Sequence, residues 1–385
     1  MGKWVFVGYI GAGNVGDDLM AMRFLAQLDP RVLPDVVFLG RSDERPPFLA
    51  SVPVVYARAS AKTTLRYIIG AKGLVLLGGT NLHDAVSDRD WPAFRRKLLM
   101  LTMAIGLCRA SGGRVVQLAI GVGPLTRRDA RGIAKLALRL SSTVILRDRQ
   151  SFELCRALGI RRVHEARDLA FLDLRTCNSA ASGAGSIMGI APTTLANLAG
   201  ATADVDDVFW IHMCERISHS VQTGVFAKVR LFAFNVSGGL SDDRSLCQSI
   251  EARLRALGID VDVVEYDNCP EGMLRLMSEC DIFVAFRYHS AIMAGLLGRR
   301  IVLVPYHKKV LDLIDQLGIK PADVLDVKQL SAQALQTEID RIVARLEAVG
   351  RSIPDIQAIR NMMSKALIVA AEAGIPLSEG ALKAV

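Results

Sequence analysis

Two α/β domains, each built on a parallel sheet, and a helical C-terminal tail are what this 385-residue sequence predicts. Apolar runs of four to six residues alternate with stretches of helical period, and a strand that is apolar at every position is one whose two faces are both covered. The alternation stops at residues 179–186, a Ser/Ala/Gly stretch too small in its side chains to join a core, and resumes after it. The length also exceeds one ordinary core, since domains commonly reach about 150–200 residues. The expected boundaries are 1–178, 186–328 and 329–385.

Within the first domain, strands are expected over residues 4–9, 36–39, 73–77, 115–120 and 144–146, with helices over 17–28, 91–110, 130–140 and 151–158. Residues 179–186 read as a linker because Gly and Ser leave the chain flexible. The second domain repeats the pattern, with strands over 187–191, 229–236, 261–264, 282–286 and 301–304 and helices between them. The tail is helical by period from 331 to 373, with a break at Gly350 and a new helix opened near Pro354.

Composition narrows the class. An apolar content of 51% supports well-buried cores and excludes a disordered scaffold. The net charge of +8 is unevenly placed: residues 127–167 hold eleven basic and four acidic side chains. A polyanion, an acidic small molecule or an anionic membrane surface could use that field, and a solvated face is the plain alternative. Seven cysteines without close pairs read as reduced thiols, and six scattered histidines give no metal-ligand spacing, so no metal is expected. The N-terminal apolar run leads straight into a glycine loop and reads as a strand rather than a signal peptide. The longest apolar stretch, 98–107, is about half of a membrane span. A cytoplasmic protein is expected, with peripheral contact at the inner face of the membrane left open.

Strand ends carry the polar motifs. Gly11-Ala12-Gly13-Asn14-Val15-Gly16-Asp17 follows the first strand and precedes a helix, where glycines permit close approach and helix-start amides can hold an anion. A dinucleotide site would also place an acid at the end of the second strand. Phe38-Leu39-Gly40-Arg41 stands there instead, which argues against that reading. Asp17 either caps its helix or orients a sugar hydroxyl.

Gly78-Gly79-Thr80-Asn81 and Gly121-Val122-Gly123-Pro124 end two further strands, with His83 nearby as a substrate-contact candidate. Arg147 and Arg149 are candidate anion clamps, because a guanidinium matches phosphate or carboxylate with two parallel hydrogen bonds; ion pairs with Asp148 or Glu153 are the structural alternative. Asp168 is either a cap or a substrate contact.

Arg287-Tyr288-His289 combines a fixed cation and a titratable imidazole between an apolar run and a helix-like stretch. Open parallel sheets place their chemistry beyond the carboxyl ends of their strands. An imidazole titrates near neutral pH, which suits a general acid. Downstream, Tyr306, Lys308 and Lys309 follow the next strand and could face the same anion.

These motifs, with Arg-Asp-x-x-Ser at 147–151, Asp-x-Ala-Phe at 168–171 and Tyr-x-x-Lys at 306–309, occur in an order that resembles the polysaccharide pyruvyl transferase family over roughly residues 4–318. The resemblance implies a fold similar to the two-domain glycosyltransferase B architecture. It implies transfer of pyruvate from phosphoenolpyruvate to two hydroxyls of a glycan sugar, forming a cyclic ketal and releasing phosphate. No cofactor is implied beyond that donor; the acceptor would be a sugar or lipid-linked oligosaccharide. The family's Arg-x-His falls on Arg287 and His289, its loop on Gly13, Asn14, Gly16 and Asp17, and its lysine on Lys309. Thr80, where many relatives have glycine, and Pro192-Thr193-Thr194-Leu195, where relatives often have a Ser-Leu-Arg-like segment, depart from the pattern.

On this reading, phosphate and carboxylate face Arg287, Lys309 and strand-end amides, His289 protonates the vinyl carbon, and Asp17 helps a sugar hydroxyl attack. A cleft between the domains would exclude water. The rivals are a nucleotide-sugar-dependent glycosyltransferase, with Glu265 and Asp267 as ribose ligands, and a non-catalytic glycan-binding protein. Nucleic acid is not an expected partner, since no reading module accompanies the charge.

Overall fold

The computed structural model describes residues 2–172, 186–194, 203–239, 242–305, 308–320, 323–324, 332–344, 346 and 354–383. The chain divides into two compact units. The first is Met1–Ala12, Asp17–Asp173 and Gln357–Val385; the second is Gly13–Gly16 and Leu174–Ile356.

The first unit holds strands β1 (Trp4–Val7), β2 (Val36–Gly40), β3 (Val55–Arg58), β4 (Gly73–Leu77), β5 (Thr80–Leu82), β6 (Arg114–Val122), β7 (Thr143–Leu146) and β8 (Val163–Glu165). Their order is β3-β2-β1-β4-β6-β7-β8, with β5 paired to β6. Every pairing is parallel. Parallel neighbours need crossovers, which helices α1 (Val15–Leu25), α2 (Ala61–Ile68), α3 (Trp91–Ala110), α4 (Arg128–Leu140) and α5 (Arg149–Ala157) supply in part. Both sheet faces are buried: Val5, Val37, Leu74 and Leu76 join one apolar cluster. Phe6 stacks on Phe38 at 5.3 Å and meets Phe24 at 5.9 Å between ring centroids. At the start of β4, Gly73 lies against the Trp4 ring, with which a β-carbon at that position would collide.

The second unit holds β9 (Ile187–Ala191), β10 (Lys228–Ala233), β11 (Val261–Glu265), β12 (Ile282–Ala285) and β13 (Arg300–Leu303), ordered β11-β10-β9-β12-β13 and all parallel. Its helices are α6 (Ala203–Gln222), α7 (Arg244–Ala256), α8 (Pro270–Ser278), α9 (Tyr288–Leu296), α10 (Lys308–Leu317) and α11 (Ala332–Val343). Phe209, Trp210 and Phe286 form one aromatic knot, with Phe209 edge-on to both of the others.

The expected α/β class and parallel sheets are present. Two differences have physical reasons, and one expectation is not tested. Strands β3 and β8 escape an apolar-run reading because they are short and half-exposed. The expected linker, 179–186, falls outside the described residues apart from Ser186. The residues expected as one tail, 329–385, are divided: α11 stays with the second unit, while α12 (Ile356–Glu372), all but its first residue, and α13 (Glu379–Lys383) join the first. A helix with an apolar face needs a surface to bury it against. In α12 that face is Ile359, Met363, Leu367 and Ala370, and the chain beyond it is tied down by Asp29 N–H to Pro376 O at 3.0 Å and Ser378 N–H to Gln27 O at 2.8 Å.

Among the described residues, no helix is long and apolar enough to cross a membrane.

Candidate functional site

In the second unit, β12 ends at Ala285 and α9 begins at Tyr288, so Arg287 is the extended residue preceding the helix. Its carbonyl accepts from Ser290 Oγ at 2.7 Å and from the Ala291 amide at 3.2 Å. Its guanidinium donates to Asp243, whose side chain is 2% exposed against 17% for the arginine. The other oxygen of Asp243 accepts from the Asn235 amide at 2.9 Å, and the Asp243 amide returns a bond to the Asn235 carbonyl at 2.8 Å. The end of β10 and the start of α7 are thus clipped together, and the clip fixes the arginine. Burial pushes the Asp243 carboxyl above the ordinary aspartate value, outweighing the opposing pull of Arg287. Its sequence neighbour Asp242 goes the other way: the Arg244 guanidinium, at 2.6 Å, holds it down at about 2.

Residues 13–16 pack on the same unit. The Val236 amide donates to Gly13 O at 2.7 Å and the Val15 amide to Phe234 O at 3.0 Å, so the short segment runs antiparallel beside residues 234–236. Gly13 takes a positive φ of 73°, and a β-carbon on it would press on Val236 and the Ser237 amide at 3.1 and 3.2 Å. Asn14 Oδ1 accepts from the Gly16 amide at 3.0 Å. A β-carbon on Gly16 would lie within the His289 ring. The structure therefore brings Gly13, Asn14, Gly16, Arg287 and His289 into one region of one unit, although the sequence separates them widely.

The loop differs from expectation in one respect. Its amides were expected to offer themselves to an anion, yet those of Gly11, Ala12, Val15 and Gly16 bond to Asp18, Tyr9, Phe234 and Asn14. The reason is local: the buried Asp18 carboxylate folds back to the Gly11 amide at 2.7 Å, and Asn14 caps its own helix. At Gly11 and Gly16 the missing side chain supplies room rather than a donor.

In the first unit, Gly78 and Gly79 take positive φ values of 54° and 68° at the end of β4. A β-carbon on Gly79 would stand 3.7 Å from Asp17 Oδ1 and 3.9 Å from Asn81 Nδ2, which brings Asp17, Gly79 and Asn81 together. The Thr80 hydroxyl accepts from Arg147 at 3.1 Å. Arg147 also pairs with Asp168 at 2.7 Å, and these side chains are 8% and 0% exposed. Asp168 caps the short turn at Leu169–Phe171 through the Ala170 amide. Arg147 is thus engaged with Asp168, a partner not anticipated among the local ion pairs. Arg149 projects from α5 with its side chain 76% exposed and pairs with Glu153 at 2.9 Å, the structural alternative for that residue. His83 accepts from the Ala85 amide at 3.2 Å and packs 4.5 Å from the Phe94 ring.

Tyr306 lies outside the described residues, as do the side chains of Lys308 and Lys309. Glu265 lines an open polar pocket of about 490 Å³ with Asp242, Arg244, Ser245 and Gln248, whereas Asp267 accepts from the Cys269 amide in its own turn. Asp243 is the residue that motif reading missed. The signal available was an acidic pair directly before a helix and after a Gly-Gly loop at a strand end.

The family model described as polysaccharide pyruvyl transferase matches residues 14–308. No curated protein matches the chain. Among solved structures, the UDP-GlcNAc 2-epimerase of Neisseria meningitidis bound to UDP-GlcNAc is similar over 96% of this chain and 100% of its own, at 10% identity and a TM-score of 0.58. HepE of Anabaena, in complex with UDP and glucose, is similar over 96% and 100%, at 13% identity and 0.52. The sucrose-phosphate synthase of Thermosynechococcus elongatus is similar over 97% and 98%, at 12% identity and 0.50. At such identities the likeness establishes the fold, that of the glycosyltransferase B enzymes and related epimerases.

Proposed function

This chain belongs to the polysaccharide pyruvyl transferase family, and from that premise we propose that it transfers pyruvate from phosphoenolpyruvate to two hydroxyls of one glycan sugar. Membership itself makes it a transferase that modifies glycans; the donor, the ketal and a lipid-linked exopolysaccharide or surface-glycan acceptor are the reading advanced here. The observation that carries it is the pairing of a cation oriented by a buried carboxylate with an imidazole two residues on, just past the end of β12.

Phosphoenolpyruvate carries a phosphate and a carboxylate, so the site needs fixed positive charge that does not have to reorganise during reaction. Arg287 supplies it, with Lys309 as a second cation. His289 gives a proton to the vinyl methylene carbon, which leaves C2 electron-poor. The first sugar hydroxyl bonds to C2, the C2–O bond to phosphate breaks, and the second hydroxyl closes the ring. One hydroxyl proton restores the imidazolium and the other leaves with phosphate or solvent, so the balance is phosphoenolpyruvate plus diol to ketal plus phosphate.

Incubation with phosphoenolpyruvate and candidate glycans tests this, read by phosphate release and by a ketal mass increase in the glycan. His289→Ala is expected to lower turnover by about 100-fold or more while leaving donor binding nearly intact. Near-wild-type turnover in that variant defeats the acid assignment. Turnover of a UDP-sugar without phosphoenolpyruvate consumption establishes the glycosyltransferase alternative, and glycan binding without turnover of either donor establishes the non-catalytic one.

A further inference from the structure

Helices α3 and α4 carry on their outer side a face that the proposed chemistry does not use. Arg95 Nε lies 3.1 Å from Asp129 Oδ2, and a β-carbon on Gly106 would lie 3.7 Å from Leu140 Cδ1. These two contacts, at opposite ends of the pair, set the helices side by side and pointing the same way. Toward solvent α3 presents Leu99, Met100 and Met103, exposed by 38, 45 and 71%, and α4 presents Leu136, exposed by 52%. The α3 residues follow three- and four-residue spacing, so they form a stripe on one side of the helix rather than scattered exceptions. Along the two helices the charge is mostly of one sign, with Asp90 and Asp88, the latter paired with Arg127 at 2.6 Å, standing just before α3. Residues 91–140 contain ten Lys and Arg (95, 96, 97, 109, 114, 127, 128, 131, 135 and 139) and one acid, Asp129.

We infer that this α3–α4 face docks on the surface of an anionic lipid bilayer. Exposed apolar side chains flanked by Lys and Arg match such an interface layer by layer: methionine and leucine enter the boundary of the acyl chains, while long basic side chains reach outward to phosphates. Methionine suits a disordered partner because its unbranched side chain adapts to irregular contacts. A nucleic acid would use the charge but gives the exposed Leu and Met nothing to pack against. An acidic protein is matched by the charge alone. The basic end of α3 follows the loop carrying Asn81 and His83, so docking by this face holds that edge of the first unit near the headgroups. The inference stands on the first unit's surface and does not depend on the donor chemistry.

The test is flotation of the full chain with phosphatidylcholine vesicles, with and without phosphatidylglycerol. Binding is expected only when the anionic lipid is present, and raised salt should weaken it. Met100→Ser/Met103→Ser and, separately, Arg96→Glu/Arg139→Glu should each lower vesicle affinity by about tenfold or more, with unchanged circular dichroism and unfolding midpoint. Turnover of a soluble acceptor should be unchanged in both, which separates failure of docking from failure of the chemistry. Equal binding to uncharged vesicles, undiminished binding by both variants, or loss by these variants of self-association or RNA binding in place of vesicle binding overturns the inference.

Discussion

Gly16 and His289 are in such close register that position 16 has no space for a β-carbon: it would fall inside the imidazole. Two helix starts, those of α1 and α9, therefore meet at a glycine and a histidine, and the histidine's position depends on the glycine's lack of a side chain.

Gly16→Ala should displace the imidazole. Forcing a methyl group into a packed site costs about 1–3 kcal/mol, so the urea midpoint should fall modestly while phosphate release falls about 100-fold, the scale of a small misplacement of a catalytic group. Combining it with His289→Ala should add little further loss, since both changes act on one side chain. A Gly16→Ala enzyme with full turnover means that the position of His289 is not critical.

Asp242 and Asp243 should respond oppositely to acid. Asp242 is lowered in the folded chain from 3.8 to about 2, so its contribution is present above 3.8 and is lost as pH falls toward 2. Asp243 is raised, so the folded chain holds that proton more readily than the unfolded one, and its ionisation costs stability as pH rises through its folded value. Urea unfolding measured between pH 5 and about 2 should show a flatter acid loss in Asp242→Asn and no flattening in Asp243→Asn. Flattening by Asp243→Asn alone contradicts the assignment.

Arg147 and Asp168 are an ion pair that water barely reaches. Arg147→Ala leaves a carboxylate buried without its guanidinium, at a cost of about 3–5 kcal/mol in unfolding free energy, whereas Arg147→Met with Asp168→Leu should recover much of it. Stability unchanged in Arg147→Ala, with donor affinity lost, would instead make Arg147 an anion clamp, the role its strand-end position suggested.

The apolar run 282–286 and the polar tripeptide after it were legible because strand and helix patterns are written in adjacent residues: each side chain reports its own burial. So were β1, β4, β6, β9 and β10, within two or three residues at their ends. The edge strand at Val55–Arg58 was not, because half-exposed residues carry no continuous apolar run. The grip of Asp243 on Arg287 joins residues 44 apart, and nothing local to either residue encodes that distance.

The sequence by itself determined the α/β class, the places where strands hand over to helices, and the chemical types waiting at those places. Tertiary structure alone decided which of them meet: that Asp243 takes Arg287, that Gly16 makes room for His289, that Asp168 takes Arg147, and that α12 joins the first unit while α11 stays with the second. The physical reason is that secondary structure follows from the period of burial along the chain. Partnership between side chains follows from how packed elements bring distant residues within a few ångströms, which no local period records.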